Sequence, residues 1–275
     1  MKLLVLQLLL FIGTLIVLDN PALANRRHFT YVYESAVLPK ASHEVEIWNT
    51  LRIQRKNFFR GIDSRLEFEF GLGDNFQTSL YLNSSSEAAF SDGSIQTDES
   101  LGFSNEWKYK VLDAFADPVG LALYAEGGFS VTETELEGKV ILDKQFDGLL
   151  LAFNATAEHS FVSGLNSDQN EVTEAENVIE FSGGIAYHLS QSFTVGLEAR
   201  HHTKKPPVFE GGGSYSALFA GPTLSFAGPN WWAALSVISQ LSGSTVSSSP
   251  TASTEKLELT EHEKLETRLL LSFEF

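Results

Sequence analysis

The chain ends in the stretch E-T-R-L-L-L-S-F-E-F, residues 266–275. Successive side chains of an extended strand point to opposite faces. One face of this strand is wholly apolar (Leu269, Leu271, Phe273 and Phe275), and the other is polar apart from Leu270. An exposed apolar edge strand would make a water-soluble domain aggregate. The stretch is instead typical of the closing strand of a bacterial outer-membrane barrel, and we expect its four apolar residues to serve as the assembly signal.

The first residues have the pattern of a secretory signal peptide. Lys2 supplies a positive charge, residues 3–18 form an apolar run, and Ala22-Leu23-Ala24 provides a small-x-small cleavage motif. A single transmembrane anchor is the alternative, but the run is short for a membrane span and the cleavage motif follows it directly. The sequence predicts a signal peptide over residues 1–24, cleaved after Ala24.

Composition excludes several classes of function. The chain has 275 residues, a formal net charge of −16 and no cysteine. Nucleic-acid binding requires clustered Lys and Arg, so we expect no nucleic-acid partner. The absence of cysteine removes disulfides, thiolate metal sites and cysteine nucleophiles.

Apolar and polar residues alternate with a period of two through nearly all of residues 42–275, and Ile141 in the weaker sixth segment is out of pattern. The run R-L-E-F-E-F over residues 65–70 is a clear example. Twelve such segments, each about 9–13 residues long, fit tilted membrane strands. The sequence therefore predicts an all-β fold: a transmembrane, antiparallel, up-and-down β-barrel of about twelve strands over residues 42–275.

The predicted connections alternate in length. The odd-numbered ones are mostly long and polar, above all residues 84–100, 161–177 and 242–264, and the even-numbered ones are mostly short turns. Outer-membrane barrels have long outer loops and short periplasmic turns. We therefore expect the bacterial outer membrane as the location, with both termini in the periplasm.

A water-soluble β-sandwich or lipocalin-like barrel is the alternative fold, with the apolar row facing inward. Two features oppose it. Glycines such as Gly184 and Gly196 lie on the charged face, which suits a crowded interior, and aromatic residues gather near the ends of the apolar rows. Aromatic girdles of this kind are typical of membrane barrels.

The inward rows carry thirteen acids and seven bases. The residues that we expect to line the lumen are Glu44, Glu46, Arg52, Arg65, Glu67, Glu69, Glu106, Lys108, Glu126, Glu158, Glu180, Glu198, Arg200 and Arg268. Like charges confined together repel, so many must be paired across strands. Plausible ladders join Glu67 and Glu69 to Arg52 and Arg65, and Glu198 to Arg200 and Arg268. These pairs either fill the barrel and hold it shut, or line a narrow aqueous path that favours cations.

Residues 25–41 precede the first predicted strand and are rich in aromatic side chains, and Pro39 separates them from the barrel. They form either a plug in the lumen or a periplasmic tail. Because tails are usually polar, the aromatic content favours the plug.

No arrangement of residues indicates catalysis, a metal or a cofactor. His159 and His188 have serine neighbours but no recognisable nucleophile context. His201 and His202 are adjacent in a strand and point to opposite faces, so they cannot chelate one ion together. Asn154-Ala155-Thr156 matches a glycosylation motif, which has no meaning in a bacterial strand.

Two stretches resemble a known group of barrels. They are L-P-K-A-S-H-E-V-E-I-W over residues 38–48 and R-L-E-F-E-F-G-L-G-D-N-F-Q-T-S-L-Y-L over residues 65–82. They are similar to the opening of outer-membrane transporter barrels related to the meta-pathway phenol-degradation proteins. Ala41 replaces the usual glycine and Gly73 a common threonine. The resemblance implies passage of small or hydrophobic molecules and identifies no substrate residue.

The sequence thus predicts passive passage of small solutes through a charged, mildly cation-favouring lumen. The alternatives are a closed structural or adhesive barrel that binds through its outer loops, and a lipid-modifying enzyme. The expected partners are outer-membrane lipid and lipopolysaccharide, the barrel-assembly machinery and an unknown small solute.

Overall fold

The computed structural model describes residues 26–91, 93–165, 168, 170–207, 213–246 and 256–275. The predicted signal peptide, residues 1–24, lies outside the described residues. Within the described ranges, no helix is long and apolar enough to cross a membrane.

Twelve strands make up most of the described chain. They are β1 (His43–Ile53), β2 (Phe59–Gly73), β3 (Phe76–Ser91), β4 (Ser94–Leu112), β5 (Gly120–Ser130), β6 (Glu133–Gln145), β7 (Leu149–Leu165), β8 (Glu171–His188), β9 (Phe193–Lys205), β10 (Ser214–Ala227), β11 (Trp231–Val246) and β12 (Leu265–Glu274). Each strand pairs antiparallel with its neighbours in sequence, and β12 pairs with β1 to close the barrel. The prediction of an all-β, twelve-stranded antiparallel barrel is confirmed.

The seam between β1 and β12 follows the alternation of the terminal strand. Leu271 lies opposite Ile47, and Phe273 lies opposite Val45. The backbone N–H of Phe275 donates to the carbonyl oxygen of His43 at 3.1 Å. The last residue of the chain is therefore tied to the first residue of the barrel.

The apolar rows face outward. Leu82, Leu123 and Phe153 are among the many large apolar side chains exposed on the outer wall, whereas Glu67 and Glu106 on the inner wall are 1% exposed. This is the reverse of a water-soluble sandwich or lipocalin, so that alternative is wrong. Burying apolar surface drives folding in water, and an outer wall of this kind needs an apolar solvent such as lipid.

Several predicted loops are strands in the structure. The segment 84–100 was expected to be a loop, yet β3 continues to Ser91 and β4 starts at Ser94, with Glu87 opposite Asp98. Segment 161–177 likewise continues β7 and β8. The backbone ladder needs no apolar side chains, so polar hairpins extend the wall past the apolar belt.

The barrel therefore has two unlike ends. At the loop end the hairpins β3–β4 and β7–β8 project, and residues 256–264 fold inward. At the turn end lie the short β2–β3, β6–β7 and β8–β9 turns, together with Arg26 and Phe275. The prediction that odd connections are long holds only in part, because β5 and β6 are joined by residues 131–132 alone.

Candidate functional site

The residues between Arg26 and Ser42 lie inside the barrel; we call them the luminal segment. Both of its ends are held at the turn end. The Arg26 side chain donates to the carbonyl oxygen of Gln191 at 3.1 Å, and the Ala41 N–H donates to the carbonyl oxygen of Gly71 at 2.9 Å. Between these anchors, Phe29 and Val32 are fully buried. The segment therefore enters from the turn end, crosses the interior and returns.

Each aromatic residue of the segment packs against its own cluster of apolar residues on the inner wall, which we call its seat. Phe29 packs with Leu150, Ala152 and Ala186, whereas Tyr31 packs with Ala217, Phe219 and Ile238. Tyr33 belongs to a larger cluster with Trp48, Ala122, Tyr124, Ile141, Ala227, Trp232, Ala234 and Leu270.

These seats explain two breaks in the sequence pattern. Leu270 is the one apolar residue on the polar face of β12, and Ile141 interrupts the alternation of β6. Both are fully buried in the cluster around Tyr33. A wall that faced only water would not need them, because apolar side chains are stabilised by burial against other apolar groups.

Polar wall side chains satisfy the backbone of the segment. The carboxylate of Glu198 accepts hydrogen bonds from the N–H groups of Thr30 at 2.8 Å, Tyr31 at 2.7 Å and Val32 at 3.2 Å. Gln77 accepts from the Leu38 N–H at 2.8 Å. Buried N–H groups without partners are costly, and hydrogen bonds to a charged acceptor are the stronger kind. The wall therefore holds one conformation of the segment.

Asn154 pairs with the segment in the way that a strand would. Its Oδ1 atom accepts from the Tyr33 N–H at 2.6 Å, and its Nδ2 atom donates to the Tyr33 carbonyl oxygen at 2.9 Å. The sequence alone indicated no role for Asn154. The position of this amide on an inward row was the available signal.

An ion pair closes the first turn of the segment. His28 Nδ1 lies 3.0 Å from Glu34 Oε2, and the His28 N–H donates to Glu34 Oε1 at 2.8 Å. Burial lowers the pKa of His28, but the Glu34 carboxylate raises it by more, so the net pKa is above its ordinary value. Burial raises the pKa of Glu34, but His28 lowers it by more, so the net pKa is below its ordinary value.

Arg27 is the buried cation of the segment. Its guanidinium carbon lies 4.1 Å from the centre of the Tyr33 ring and 4.5 Å from that of Trp48. Burial lowers the pKa of Arg27, but the charges of Tyr33, Glu46 and Glu67 raise it by more, so the net pKa is above its ordinary value. The guanidinium is therefore charged and faces acidic groups of the wall.

All fourteen residues expected to line the lumen have buried or half-buried side chains on the inward rows. Six lie at the level of Arg27 or nearer the turn end: Glu44, Glu46, Glu67, Glu69, Glu106 and Lys108. Glu198 contacts the segment. The other seven lie toward the loop end: Arg52, Arg65, Glu126, Glu158, Glu180, Arg200 and Arg268.

The ion pairs differ from the expected ladders. Arg52 bonds to Asp63 at 2.7 Å and to Glu87 at 2.6 Å. Arg200 bonds to Glu180 at 2.8 Å and to Glu266 at 2.5 Å, and Glu198 bonds to the luminal segment instead. The strands of a barrel are tilted and staggered, so the nearest inward neighbour is set by the stagger and not by spacing along one strand.

The luminal segment separates two sets of cavities. A turn-end cavity of about 1180 Å³ is bordered by His28, Glu34 and residues of the short turns. On the other side of the segment, cavities of about 300 Å³ and about 230 Å³ share Asp63 and Arg65 and face the loop end. Space for solvent therefore reaches the segment from both ends of the barrel.

Acids predominate on the walls of the two loop-end cavities. The acids are Asp63, Glu126, Glu133, Glu135, Glu137, Glu158 and Glu180, and the bases are Arg65, Lys139, Arg200 and Arg268. Carboxylate oxygens of Glu133, Glu135 and Glu158 lie within 4.8 Å of one another, as do those of Glu44, Glu46 and Glu69. From the sequence we expected no metal ligand and neither of these groupings.

The loop end also carries a chain of three side chains that the sequence did not indicate. Glu258 bonds to His262 at 2.6 Å, and His262 bonds to His202 at 2.8 Å. His202 borders the loop-end cavity of about 300 Å³. These contacts tie residues 256–264 to the inner wall of the barrel.

Solved structures similar to this one include outer-membrane barrels, which is the class that the closed barrel and its apolar outer wall define. The COG4313 outer membrane channel from Pseudomonas putida F1 has a TM-score of 0.58 and 9% identity, over 94% of this chain and 100% of that one. The NanC porin has a TM-score of 0.51 and 12% identity, over 83% and 98%. The translocator domain of the autotransporter NalP from Neisseria meningitidis has a TM-score of 0.53 and 11% identity, over 85% and 87%.

Within this class, the chain belongs to DUF6662, a family of unknown function whose profile matches residues 21–275. No curated protein matches the sequence.

Proposed function

We propose that this protein is an outer-membrane channel for small solutes, in which the luminal segment closes the middle of the barrel. We call this level, between the turn-end and loop-end cavities, the waist. The observation that carries the proposal is the position of the segment between the turn-end cavity and the loop-end cavities. The turn end faces the periplasm, so both termini lie there, and the outer wall contacts lipid and lipopolysaccharide. The barrel-assembly machinery inserts the chain.

Passive passage is supported by the fold and by the kind of contact that holds the segment. Similar barrels include a protein described as an outer membrane channel and one described as a porin. The segment is bound by hydrogen bonds and apolar packing, with the Glu198 carboxylate at its centre. Contacts of this kind are reversible, so the segment acts as a gate.

The lumen favours cations. Acids outnumber bases by seven to four on the loop-end cavities. Charged walls around a narrow aqueous path focus their field on entering solutes. The resemblance to barrels related to the meta-pathway phenol-degradation proteins adds the proposal that the solute is small or partly hydrophobic.

A closed structural or adhesive barrel is the second candidate. The filled waist favours it, since each aromatic residue of the segment is packed on the wall. In that case the projecting β3–β4 and β7–β8 hairpins would carry the binding.

Conductance in planar bilayers decides between the two. Glu198→Gln weakens three hydrogen bonds to the segment, and losing charge-assisted bonds of this kind costs about 1–3 kcal/mol. We expect about tenfold more open time than in the wild type. Glu158→Gln is the matched control, since Glu158 is also an inward acid and lines a loop-end cavity; it should leave the open time unchanged.

Selectivity is measured in the same bilayers. Replacing Glu133, Glu135 and Glu158 together by Gln should shift the reversal potential toward anions. If neither the wild type nor Glu198→Gln gives conductance steps at high salt, the barrel is closed and the channel proposal is wrong. An unchanged reversal potential in the triple variant would refute only the cation preference.

A further inference from the structure

Two pairs of acids oppose each other across β1 and β2. Glu46 lies opposite Glu67, and Glu44 lies opposite Glu69, with all four side chains buried on the inner wall. Like charges directly opposed across strands destabilise a sheet, and a buried carboxylate is costly unless a counter-charge or hydrogen bonds compensate it. A nearby cation would therefore stabilise this part of the barrel interior.

Two cations lie near these acids: Lys108 of the wall, whose charge acts on Glu106 and Glu69, and Arg27, which comes from the luminal segment and acts on Glu46 and Glu67. Its guanidinium lies between the Tyr33 and Trp48 rings. The indole N–H of Trp48 donates to Glu46 Oε2 at 2.7 Å. One side chain of the wall thus supplies an aromatic face to the guanidinium and positions the neighbouring carboxylate.

The fit of Arg27 to this place is incomplete. Among the described residues, Glu46 Oε1 has no hydrogen-bond partner, and neither carboxylate oxygen of Glu67 is hydrogen-bonded to Arg27. The Nε and Nη1 atoms of Arg27 likewise have none, although this side chain is only 7% exposed. Its Nη2 atom donates instead to the Thr30 carbonyl oxygen within the segment, at 3.1 Å. The wall therefore offers more acceptors than the tethered guanidinium uses.

We propose that Glu46, Glu67 and Trp48 form a binding site for the guanidinium group of an organic cation, and that Arg27 is a built-in occupant which such a solute displaces. The proposal deepens the proposed function, on which it rests for the identity of the ligand as a passing solute. Displacing Arg27 withdraws the residue next to His28 and so loosens the segment. Binding and opening are thereby coupled.

The chemistry of the site favours a guanidinium over a metal ion. A guanidinium is planar, weakly hydrated and able to stack on an aromatic face while donating to two carboxylates. Magnesium and calcium bind through several oxygen ligands, which are either retained water molecules or oxygen atoms of the protein. Trp48 presents carbon to the guanidinium and would be a poor neighbour for such an ion.

Calorimetry with folded protein in detergent tests the proposal. The probe is propylguanidinium, and propylurea is its neutral isostere. Arg27→Ala should bind propylguanidinium at least tenfold more tightly than the wild type does, and neither protein should bind propylurea. Arg60→Ala is the control, because Arg60 is an arginine exposed on β2 away from the luminal segment; it should behave as the wild type.

Adding Glu67→Gln to Arg27→Ala should return the affinity to the wild-type value. Unchanged affinity in that double variant, or equal binding of propylurea, would overturn the proposal, as would the absence of propylguanidinium binding by folded Arg27→Ala. Heat-modifiable migration on a gel establishes folding, and Arg27→Gln is the substitute if the alanine variant does not fold.

A second measurement leaves Arg27 in place. The chain has no cysteine, so Val32→Cys, at a fully buried position of the segment, is labelled by a maleimide only when the segment leaves its seat. Propylguanidinium should accelerate this labelling severalfold and propylurea should not; equal rates would count against displacement. Binding of propylguanidinium without conductance would refute the channel and leave the binding site standing. Conductance without binding would refute the binding site and leave the channel standing.

Discussion

Tyr33 and Asn154 lie 121 positions apart and are joined by two hydrogen bonds, one in each direction, between a backbone and a side-chain amide. An amide side chain of the wall thus replaces the partner strand that the luminal segment lacks. Because both groups are buried, water cannot substitute for either bond without entering the seat of the segment.

Replacing Asn154 by alanine should therefore loosen the segment. Leaving a buried N–H and carbonyl unpaired costs about 1–3 kcal/mol, so we expect maleimide labelling of Val32→Cys to accelerate by about tenfold or more. Thr156→Ala, on the same inward row of β7, is the control and should label at the wild-type rate. Equal labelling of the two variants would show that the Asn154 bonds do not hold the segment.

Gly184 should be intolerant of any side chain, because a Cβ atom there would lie 2.5 Å from Cε1 and 2.7 Å from Cζ of the buried Phe29 ring. Overpacking of this kind costs about 1–3 kcal/mol. Gly184→Ala should therefore speed hydrogen exchange in residues 26–42, measured by mass spectrometry. Gly183→Ala is the control, since its nearest neighbour would be at an ordinary 3.6 Å. Faster exchange in both variants would implicate the strand and not the seat of Phe29.

Docking of the segment should depend on pH through His28 and Glu34. The raised pKa of His28 means that its ion pair stabilises docking fully below pH 6.5 and loses this effect as the pH rises through the folded pKa. The lowered pKa of Glu34 gives a contribution that is present above pH 4.5 and lost as the pH falls through the folded pKa. Docking should therefore be tightest between these limits and weaken in alkali.

Other charges near His28 do not reverse this direction. Arg26 lowers the pKa of His28 by less than Glu34 raises it, and His188 lies with its ring centre 4.8 Å away. Labelling of Val32→Cys should accelerate as the pH rises above 6.5, after correction for the reactivity of the thiol. His28→Gln should abolish this trend and His201→Gln, an outward-facing control, should keep it. If labelling still accelerates with pH in His28→Gln, a group other than His28 causes the trend.

Phe275 should matter for assembly more than its exposure suggests. Its backbone joins the seam by donating to the His43 carbonyl oxygen at 3.1 Å, and its ring centre lies 6.1 Å from that of His43. Phe275→Ala should lower the folded fraction in membranes, read by heat-modifiable migration. Phe115→Ala, in the β4–β5 turn and 77% exposed, should have little effect. Equal loss in both variants would contradict a special role of the terminal residue. Alanine substitutions of its partners Leu269, Leu271 and Phe273 should lower the folded fraction in the same way.

The lumen shows where reasoning from sequence reaches its limit. Alternation along the sequence predicts which residues of a strand point inward, because side-chain direction in a strand is a local property. It did not identify the partners of Arg52 or of Glu198, because these depend on the stagger between strands and on a segment from elsewhere in the chain. Asn154 was dismissed for the same reason: its partner is distant in sequence.

The sequence by itself determined that the chain forms twelve membrane strands and which face of each strand is apolar, since both follow from a repeat of two residues. It also marked Ile141 and Leu270 as exceptions without explaining them. Only the tertiary structure decided that residues 26–42 cross the interior, that these exceptions form the seat of Tyr33, and that Arg27 lies among buried acids. Such contacts depend on closure of the barrel, which brings distant positions together, and no local pattern records that.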